Sequence, residues 1–259
     1  MASPAHLEIR NVSKTYAVPG RPLVHVLSGV SFDVAPGAFV SIVGPSGCGK
    51  STLLRLIIGL DDTYRGDILL NDTRIAGTAL SRGIVFQDHR LLPWLTLEQN
   101  IALSLENARL SAREKAATVA EHIALVGLSG FEKAYPHELS GGMAQRAAIA
   151  RGLVNRPEIL LLDEPLGALD ALTRVHLQGE LQRIWQAEGT TMILVTHDVD
   201  EAIFLSDRVV VMAAGPGRIV EEVAVDLPFP RDRAAGDFAA VKRRILTAMG
   251  EDGRSVHAA

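Results

Sequence analysis

A glycine-rich stretch between a predicted strand and a predicted helix constrains the fold of this chain more than any other feature. Residues 44–51 read Gly-Pro-Ser-Gly-Cys-Gly-Lys-Ser and match the pattern GxxxxGK[ST] in full. The apolar run Phe39–Val43 before it favours a strand, and the periodic apolar residues within 53–57 favour a helix. Glycines let a loop wrap closely around phosphate oxygens, while backbone N–H groups and the helix N-terminus supply positive potential. The stretch therefore predicts a phosphate-binding loop that opens an α/β nucleotide-binding unit.

Two side chains of this loop carry the chemistry of the predicted site. Lys50 would add a mobile positive charge directed toward the β- and γ-phosphates of a nucleotide, and the hydroxyl of Ser51 would bind Mg²⁺. Cys48 occupies a variable position of the pattern, so we interpret it as a small side chain that fits rather than as a redox group. A glycine turn that arose by chance is the alternative, and the match of both the letters and the flanks argues against it.

The composition argues against several classes of protein. Of the 259 residues, 47% are hydrophobic and 22% charged, which allows one large domain or a core with a smaller subdomain. The net charge of −4 argues against nucleic acid as the main partner. The single cysteine cannot form an internal disulfide, and residues 1–7 lack a secretory signal, so we expect a cytosolic chain. Apolar runs such as residues 209–214 are shorter than the roughly 20 residues of a membrane helix, so a link to a membrane requires a partner.

The pattern along the chain predicts an α/β core that a helical subdomain interrupts. The continuous apolar run Ile159–Leu162 is typical of a strand in a mostly parallel sheet that is covered on both faces. Thr96 with Gln99, and Ser111 with Glu114, match the capping box at the start of a helix. We assign residues 1–95 and 155–226 to the core with an N-terminal antiparallel β subdomain, 96–154 to the helical subdomain and 227–259 to a C-terminal tail. The tail could regulate, contact a second copy or cover a sheet edge.

Two adjacent carboxylates, Asp163 and Glu164, directly follow the predicted strand at Ile159–Leu162. Open α/β sheets bind their ligands at the carboxyl ends of strands. Asp163 would hold Mg²⁺ through water, and Glu164 would act as general base on the attacking water, a role that contributes on the order of 10²- to 10⁴-fold in rate. A solvated turn is the alternative for such a pair alone. Together with the glycine loop, the pair predicts an enzyme that hydrolyses a nucleoside triphosphate.

A third motif distinguishes among such enzymes. Residues 139–146 read Leu-Ser-Gly-Gly-Met-Ala-Gln-Arg and resemble the signature of ATP-binding cassette (ABC) proteins, although Met143 stands where many relatives carry Gln. The resemblance covers nearly the whole chain, because further motifs occur in the order of that family. They are an aromatic residue at Tyr16, the glycine loop, Gln87, the signature, the Asp-Glu pair, Ala168-Leu169-Asp170 and His197.

This resemblance implies a P-loop ATPase core of the ABC type that works as a head-to-tail homodimer, with ATP and Mg²⁺ bound between the two copies. The residues implied for binding ATP are Tyr16, which stacks on adenine, and Gly44, Pro45, Ser46, Gly47, Cys48, Gly49, Lys50, Ser51 and Thr52. Those implied to face the ATP of the second copy are Ser140, Gly141, Gly142 and Gln145. The implied catalytic residues are Glu164, His197 and Gln87, the implied metal ligands are Ser51, Gln87 and Asp163, and Asp170 is implied to communicate between the copies.

Several segments resemble the nitrate, sulfonate and taurine branch of bacterial importers within this family. They are residues 87–96, Met143, residues 167–174 and residues 216–219. The resemblance implies a peripheral ATPase subunit at the cytoplasmic face of the inner membrane. Two transmembrane permease subunits bind it, and an external substrate-binding protein acts on it indirectly. On overall resemblance, aliphatic sulfonate is the leading cargo, with taurine, nitrate and other small molecules as alternatives. The resemblance implies that the external binding protein and the permease select the cargo.

A short apolar segment after Gln87 is a candidate contact with the membrane subunits. In the resembling family, the surface near this glutamine receives a short helix of the permease. We therefore expect Leu91, Leu92, Trp94 and Leu95 to form an exposed apolar dock. Burial of the four side chains in the subdomain core is the alternative.

Two other functions are alternatives to import: a soluble cassette ATPase that acts on DNA or ribosomes, and a regulatory ATPase without transport. DNA-repair members separate their motifs with long coiled coils, whereas only 113 residues separate Lys50 from Asp163. Ribosome-acting members usually carry two cassettes in one chain. We therefore expect no nucleic-acid partner.

The basic residues 242–244 near the C-terminus are interpreted as a solvated helix face rather than a lipid-binding patch.

Overall fold

The computed structural model describes residues 5–17, 19–20 and 22–250. Within these residues, ten strands form: β1 (Leu7–Tyr16), β2 (Val24–Val34), β3 (Phe39–Val43), β4 (Arg65–Leu70), β5 (Thr73–Arg74), β6 (Arg82–Phe86), β7 (Ile159–Asp163), β8 (Thr191–Val195), β9 (Arg208–Ala213) and β10 (Arg218–Ala224). The same residues form seven α-helices: α1 (Lys50–Ile58), α2 (Leu97–Ala102), α3 (Ala112–Leu125), α4 (Gly141–Leu153), α5 (Ala171–Glu188), α6 (Val199–Leu205) and α7 (Gly236–Ala248).

Contacts between residues divide the described chain into two compact units. The first, here called the glycine-loop unit, comprises residues 5–78 and 191–250, and the second, the signature unit, comprises residues 79–190. These boundaries differ from the predicted ones, which lay at 95/96 and 154/155. Strands β6 and β7 and helix α5 group with the predicted helical subdomain because α4 packs against both β6 and α5.

The glycine-loop unit contains an antiparallel sheet with the strand order β2-β1-β4-β5. This sheet confirms the predicted N-terminal antiparallel subdomain. In the same unit, β3 lies between β8 and β9 and is parallel to both, while β10 pairs with β9 in the antiparallel direction. Every residue of β3 and β8 is buried, as the continuous apolar runs predict for strands that are covered on both faces.

Part of the predicted tail forms the core of the glycine-loop unit. Helix α7 packs against α6, β9 and β10, and its Phe238 and Ile245 are fully buried in a cluster with Val209 and Val211. Of the three roles left open for the tail, cover of a sheet edge is the one that α7 matches, because α7 packs on the edge strand β10 and its neighbour β9. None of the helices in the described residues is long and apolar enough to span a membrane.

A buried guanidinium holds the segment before α7. Arg231 donates hydrogen bonds to backbone carbonyls of α6 and the residues beside it and of its own segment, at Ile203, Phe204, Ser206, Val225 and Leu227. Burial lowers the pKa of Arg231 from its ordinary value, although the charge of Asp207 opposes the shift. Arg231 therefore links the segment before α7 to α6 and to the residue that follows it, Ser206.

The signature unit combines a parallel strand pair with helices. Strand β6 pairs with β7 in the register Phe86 to Asp163. Helices α2 and α3 begin at the two predicted capping boxes, which are confirmed at Thr96 and Ser111. The predicted apolar stripe of α3 is also confirmed, because the side chains of Val119, Ile123 and Val126 are buried.

Candidate functional site

The glycine loop connects the buried strand β3 to the first residue of α1. Gly47 and Gly49 adopt the left-handed conformation, with φ of 79° and 97°. A Cβ atom on Gly44 would lie 2.4 Å from the carbonyl oxygen of Met212, which is closer than any side chain permits. The loop therefore needs glycine for its backbone conformation at two positions and for space at the third.

Lys50 turns its ammonium back onto this loop. Its side chain is only 6% exposed, and Nζ donates hydrogen bonds to the carbonyl oxygens of Gly44, at 2.7 Å, and of Pro45, at 3.1 Å. A phosphate oxygen would compete with these carbonyls and would add the attraction of a full negative charge. The ammonium thus lies against the glycine loop, and its binding to the β- and γ-phosphates stays a prediction.

The other predicted loop residues differ in exposure. Ser46, Gly47 and Ser51 are exposed and Thr52 is half-buried, whereas Cys48 is fully buried. Burial raises the pKa of the Cys48 thiol above its ordinary value, against the charge of Lys50, which lowers it. A neutral buried thiol is a poor nucleophile, so the structure agrees with Cys48 as a small side chain that fits.

Sequence reasoning missed a residue that supports the loop from another part of the chain. Gly217 lies between β9 and β10, and its N–H donates to Val26 at 2.9 Å while its carbonyl accepts from Ser28 at 2.9 Å. A Cβ atom on Gly217 would lie 2.0 Å from the carbonyl oxygen of Cys48. The Pro-Gly pair at 216–217 indicates a turn, and residues 216–219 are among the segments that resemble the importer branch, but neither signal indicates this contact.

Tyr16 ends β1 with its ring half-buried. Its hydroxyl donates to Asp61 at 3.1 Å, and Nζ of Lys14 lies 4.6 Å from the ring centroid. Lys14 also bonds Asp61 at 2.7 Å. Burial raises the pKa of Asp61, but hydrogen bonds from Lys14, Thr63 and Tyr16, with the charge of Lys14, outweigh it and leave that pKa below its ordinary value. The ring is therefore oriented by its hydroxyl.

His197 is an exposed residue just after β8, and both of its neighbours are fixed. Thr196 donates its hydroxyl proton to the carboxylate of Glu201 at 2.5 Å and accepts from the N–H of Asp198 at 3.0 Å. Asp198 caps α6 by accepting from the N–H of Glu201. The backbone on either side of the histidine is thus held by the first turn of α6.

In the signature unit, Gln87, Asp163 and Glu164 lie at the carboxyl ends of the paired strands β6 and β7, as the sequence predicts. Glu164 has a φ of 48°, a left-handed conformation that costs a residue with a side chain roughly 1–3 kcal/mol. Its carbonyl accepts from the N–H of Gly167 at 3.1 Å. A Cβ atom on Gly167 would lie 3.2 Å from the amide nitrogen of Gln87, so the turn after Glu164 packs against this glutamine.

The predicted signature residues have different surroundings. Ser140 is exposed and caps α4, because its hydroxyl accepts from the N–H of Met143 at 3.3 Å. Gly142 is buried, and a Cβ atom there would lie 2.7 Å from Cγ2 of Thr173 on α5. Gln145 is only 3% exposed, and its Nε2 donates to the carbonyl of Phe86 at 3.1 Å. Ser140 and the exposed Gly141 are therefore open to a ligand, whereas the amide of Gln145 is bound within the chain.

Asp170 is the N-cap of α5 and is exposed. Its carboxylate accepts from the N–H of Thr173 at 3.0 Å. A hydrogen bond with the Thr173 side chain, followed by this N–H and by smaller backbone contributions, lowers the pKa of Asp170. The residue therefore stays ionised at the start of a long helix, where the helix dipole favours a negative charge.

The expected apolar dock is only partly exposed. Trp94 is 68% exposed, but Leu91 is only 6% exposed and lies in the core, and Leu92 and Leu95 are half-buried. The expectation of four exposed side chains is thus wrong for Leu91. The reason is that the buried Asn100 accepts from the N–H of Leu92 and donates to the carbonyls of Leu92 and Leu95, which draws this turn onto α2.

The predicted Mg²⁺ ligands fit a hard cation. Ser51, Gln87 and Asp163 offer a hydroxyl, an amide and a carboxylate oxygen, and Mg²⁺ binds oxygen donors while keeping several waters. No cluster of three or more His, Cys, Asp or Glu side chains suited to a metal occurs among the described residues. A cation held by one carboxylate, neutral oxygens, waters and phosphate does not require such a cluster.

The chain is similar to known proteins over most of its length. The family model described as ABC transporter matches residues 27–167. The chain is 48% identical over 240 residues to the "Aliphatic sulfonates import ATP-binding protein SsuB" of Bacillus cereus, covering 93% of this chain and 94% of the relative. It is 52% identical over 221 residues to the protein of the same name from Bacillus licheniformis, covering 85% and 86%.

Solved structures give the same result for the fold. The structure is similar to a dimeric post-hydrolysis state of the ATP-binding cassette MJ0796 bound to ADP and Pi, with a TM-score of 0.73 and 32% identity over 86% of this chain and 100% of that one. It is also similar to cbiO1 from Clostridium perfringens, part of the ABC transporter complex cbiONQ, with a TM-score of 0.75 and 28% identity over 85% and 88%.

Proposed function

The chain belongs to the ABC transporter family, and from this premise we propose that it is the ATP-hydrolysing subunit of a bacterial importer for a small anion. The observation that carries the proposal is the glycine loop, which leaves no space for a Cβ at Gly44 and holds the Lys50 ammonium at its mouth. The Asp-Glu pair at the end of β7 supports hydrolysis in addition to binding.

The residues of this chain divide the work of hydrolysis. The backbone of the glycine loop and Lys50 bind the β- and γ-phosphates, and the ring of Tyr16 stacks on adenine. Ser51, Gln87 and Asp163 would hold Mg²⁺, which neutralises phosphate charge when bound. Glu164 takes a proton from water while the water oxygen bonds to the γ-phosphorus and the bond to the β–γ bridging oxygen breaks. His197 contacts the γ-phosphate and supports the same water.

A second copy completes each site in this proposal. Ser140 caps α4, and the first N–H groups of a helix lack carbonyl partners within it, so the α4 N-terminus suits the γ-phosphate held by the other copy. Gly141 and Gly142 contribute backbone donors there, and Asp170 communicates between the copies. Gln145 leaves this set because its amide already donates to Phe86.

The catalytic assignment is tested by Glu164→Gln. We expect this variant to bind ATP like the wild type, to turn over at least a hundredfold more slowly, and to accumulate as an ATP-bound dimer in size-exclusion chromatography. Asp237→Asn is a control, because Asp237 lies in the first turn of α7 and is assigned no role in the site. Wild-type turnover by Glu164→Gln would remove Glu164 from the role of base.

We also propose aliphatic sulfonate as the cargo and two permease subunits as partners, with this chain peripheral at the cytoplasmic face of the membrane. An external binding protein acts through the permease. The support is the name of the relatives, which are aliphatic sulfonate import proteins and align with this chain over most of their length. Deletion of the gene should abolish growth on an alkanesulfonate as sole sulfur source and spare growth on sulfate. If the deletion strain instead lost growth only on nitrate or only on taurine, that compound would be the cargo in place of aliphatic sulfonate.

Trp94 is the proposed permease contact, since it is the one member of the expected dock that is mostly exposed. Trp94→Ala should weaken co-purification with the permease and leave ATP affinity unchanged. Leu91→Ala provides the contrast, because its buried side chain should lower stability by about 2–5 kcal/mol. Equal loss of permease and nucleotide binding in Trp94→Ala would indicate a packing role for the tryptophan.

A further inference from the structure

Helix α4 donates hydrogen bonds to three backbone carbonyls that surround Gln87. Nε2 of Gln145 donates to the carbonyl of Phe86 at 3.1 Å. The guanidinium of Arg151 donates to His89, from Nη2 at 2.7 Å, and to Arg90, from Nη1 at 2.8 Å. The acceptors lie directly before Gln87 and two and three residues after it. The segment 86–90 is therefore attached to α4 at both of its ends.

The character of these contacts indicates positioning rather than charge neutralisation. Among the described residues, no carboxylate forms an ion pair with Arg151, and its Nη1 and Nη2 donate only to backbone oxygens. Burial lowers the pKa of Arg151 from its ordinary value. The acceptor segment is itself constrained, because Arg90 has a left-handed φ of 48° and its guanidinium lies 3.7 Å from the centroid of the Phe86 ring.

The same helix begins at the signature. Ser140 caps α4, and Gly141 lines a cavity of about 400 Å³ together with Gln87 and His89. A displacement of the segment 86–90 would therefore act on α4 through three hydrogen bonds. A displacement of the α4 N-terminus would act on Gln87 by the same route.

We propose that Arg151 is a positioning residue for Gln87. Together with Gln145, it makes the segment 86–90 and helix α4 move as one rigid body. The proposal rests on the proposed function, in which Gln87 binds the metal and α4 faces the second nucleotide. Arginine suits this role because its planar guanidinium presents donors in a fixed fork, whereas lysine offers a single point of donation. A lysine at position 151, which keeps the positive charge but lacks the fork of donors, should therefore not restore the role of Arg151.

The test compares Arg151→Lys with Arg146→Lys. Arg146 is a matched control, because it lies on the same helix and also donates to two carbonyls, those of Val126 and Gly127, at 3.0 and 3.2 Å. Its acceptors lie at the end of α3, away from Gln87 in the chain. Kinetics of MgATP hydrolysis by the full chain, thermal unfolding and amide hydrogen exchange are measured for both variants.

Arg151→Lys should lower kcat about tenfold with KM for ATP within about twofold, because a displaced catalytic group costs rate more than binding. Amides of residues 87–95 should exchange at least fivefold faster than in the wild type. Arg146→Lys should leave kcat and exchange of residues 87–95 unchanged. The double variant Gln87→Ala with Arg151→Lys should be no slower than Gln87→Ala alone, since Arg151 acts through Gln87.

Wild-type kcat and wild-type amide exchange in Arg151→Lys would overturn the proposal. So would a double variant whose fold-loss of kcat equals the product of the two single-variant losses. If Arg151→Lys does not fold, Gln145→Met removes the contact to Phe86 and is held to the same outcomes. Absence of ATP hydrolysis by the wild type would instead contradict the proposed function. The exchange of residues 87–95 would still decide on Arg151 in that case.

Discussion

Gly217 touches the carbonyl of Cys48 more closely than any side chain would allow. Its own N–H and carbonyl are bonded to Val26 and Ser28, so its backbone cannot move away without losing those contacts. The glycine loop is thus shaped by its own three glycines and by one from the turn between β9 and β10. The pattern GxxxxGK[ST] reveals the former because it is local, and reveals nothing of the latter because the contact joins distant parts of the chain.

Gly217→Ala should therefore deform the loop. We expect the affinity for ATP to fall about tenfold and the free energy of unfolding to fall by roughly 1–3 kcal/mol, as for an overpacked site. Isothermal titration with ATP and urea unfolding measure the two effects. The control is Gly179→Ala, a helical glycine with open space at its Cβ position, which should raise stability by roughly 0.5–1 kcal/mol. ATP affinity equal to wild type in Gly217→Ala would contradict this account.

The Lys14–Asp61–Tyr16 cluster makes stability depend on pH in a defined direction. The pKa of Asp61 is lower in the folded chain than its ordinary value, so its ionised form stabilises the fold at neutral pH. This contribution is complete above the ordinary pKa of about 3.9 and is lost as the pH falls through the lower folded value. The wild type should exceed Asp61→Asn in unfolding free energy by roughly 1–2 kcal/mol at pH 7.

That difference should be constant from neutral pH down to about pH 5 and should shrink below about pH 4. Urea unfolding of both proteins across this range measures it. Asp67→Asn is the matched control, because the Asp67–Arg74 pair is about half exposed on both sides and should contribute less than about 1 kcal/mol. If the difference in unfolding free energy between the wild type and Asp61→Asn grew on acidification, the pKa of Asp61 would be raised, not lowered, in the folded chain.

Strands and helices with a strong pattern of their own were predictable from the sequence. Strand β3 has the bounds of the predicted run Phe39–Val43, and β7 extends the predicted run Ile159–Leu162 by one residue, to Asp163. Strand β5 has two residues, helix α6 has seven, and β10 is mostly exposed or half-buried. These three were missed because short or weakly buried elements have little periodicity and form through tertiary contacts.

The candidate site shows the same division between local and tertiary information. The glycine loop and the Asp-Glu pair lie where strand ends predict them, since each motif directly follows a strand. The burial of Leu91 and the hydrogen bond of Gln145 could not be predicted, because they depend on Asn100 and Phe86, which other elements carry. Motif spacing gives the position of a residue along an element, but only packing decides which partner its side chain meets.

Helix α7 makes the C-terminal segment part of the fold. Phe238 is 1% exposed and packs in the cluster of β9, β10 and α6. Phe238→Ala should lower the free energy of unfolding by about 3–5 kcal/mol, since it removes a large buried ring and leaves a cavity. Arg243→Ala, at an exposed position of the same helix, should change it by less than about 0.5 kcal/mol. Denaturant unfolding compares the two, and equal small effects would mean that α7 does not pack as described.

The chain as a whole contains one glycine loop and one signature, and this count makes a monomer insufficient for the proposed chemistry. A site built from the loop of one copy and the α4 N-terminus of another appears twice in a symmetric dimer, as an isologous arrangement requires. The rate of hydrolysis should then rise more steeply than protein concentration in dilute solution. A site complete in one chain predicts a rate strictly proportional to concentration.

Mixing two inactive variants distinguishes these cases directly. Lys50→Ala should lose binding to the nucleotide phosphates. Ser140→Ala should lose the cap of α4, the helix whose N-terminus faces the partner's nucleotide in the proposed dimer. A mixed dimer places both defects in one site and leaves the other site with an intact Lys50 and an intact Ser140. Random mixing in equal amounts should therefore restore about a quarter of the intact sites, measured as ATPase activity against each variant alone. Two Lys50→Ala preparations mixed with each other are the control, and no recovery in the mixture of Lys50→Ala with Ser140→Ala would place the whole reaction within a single chain.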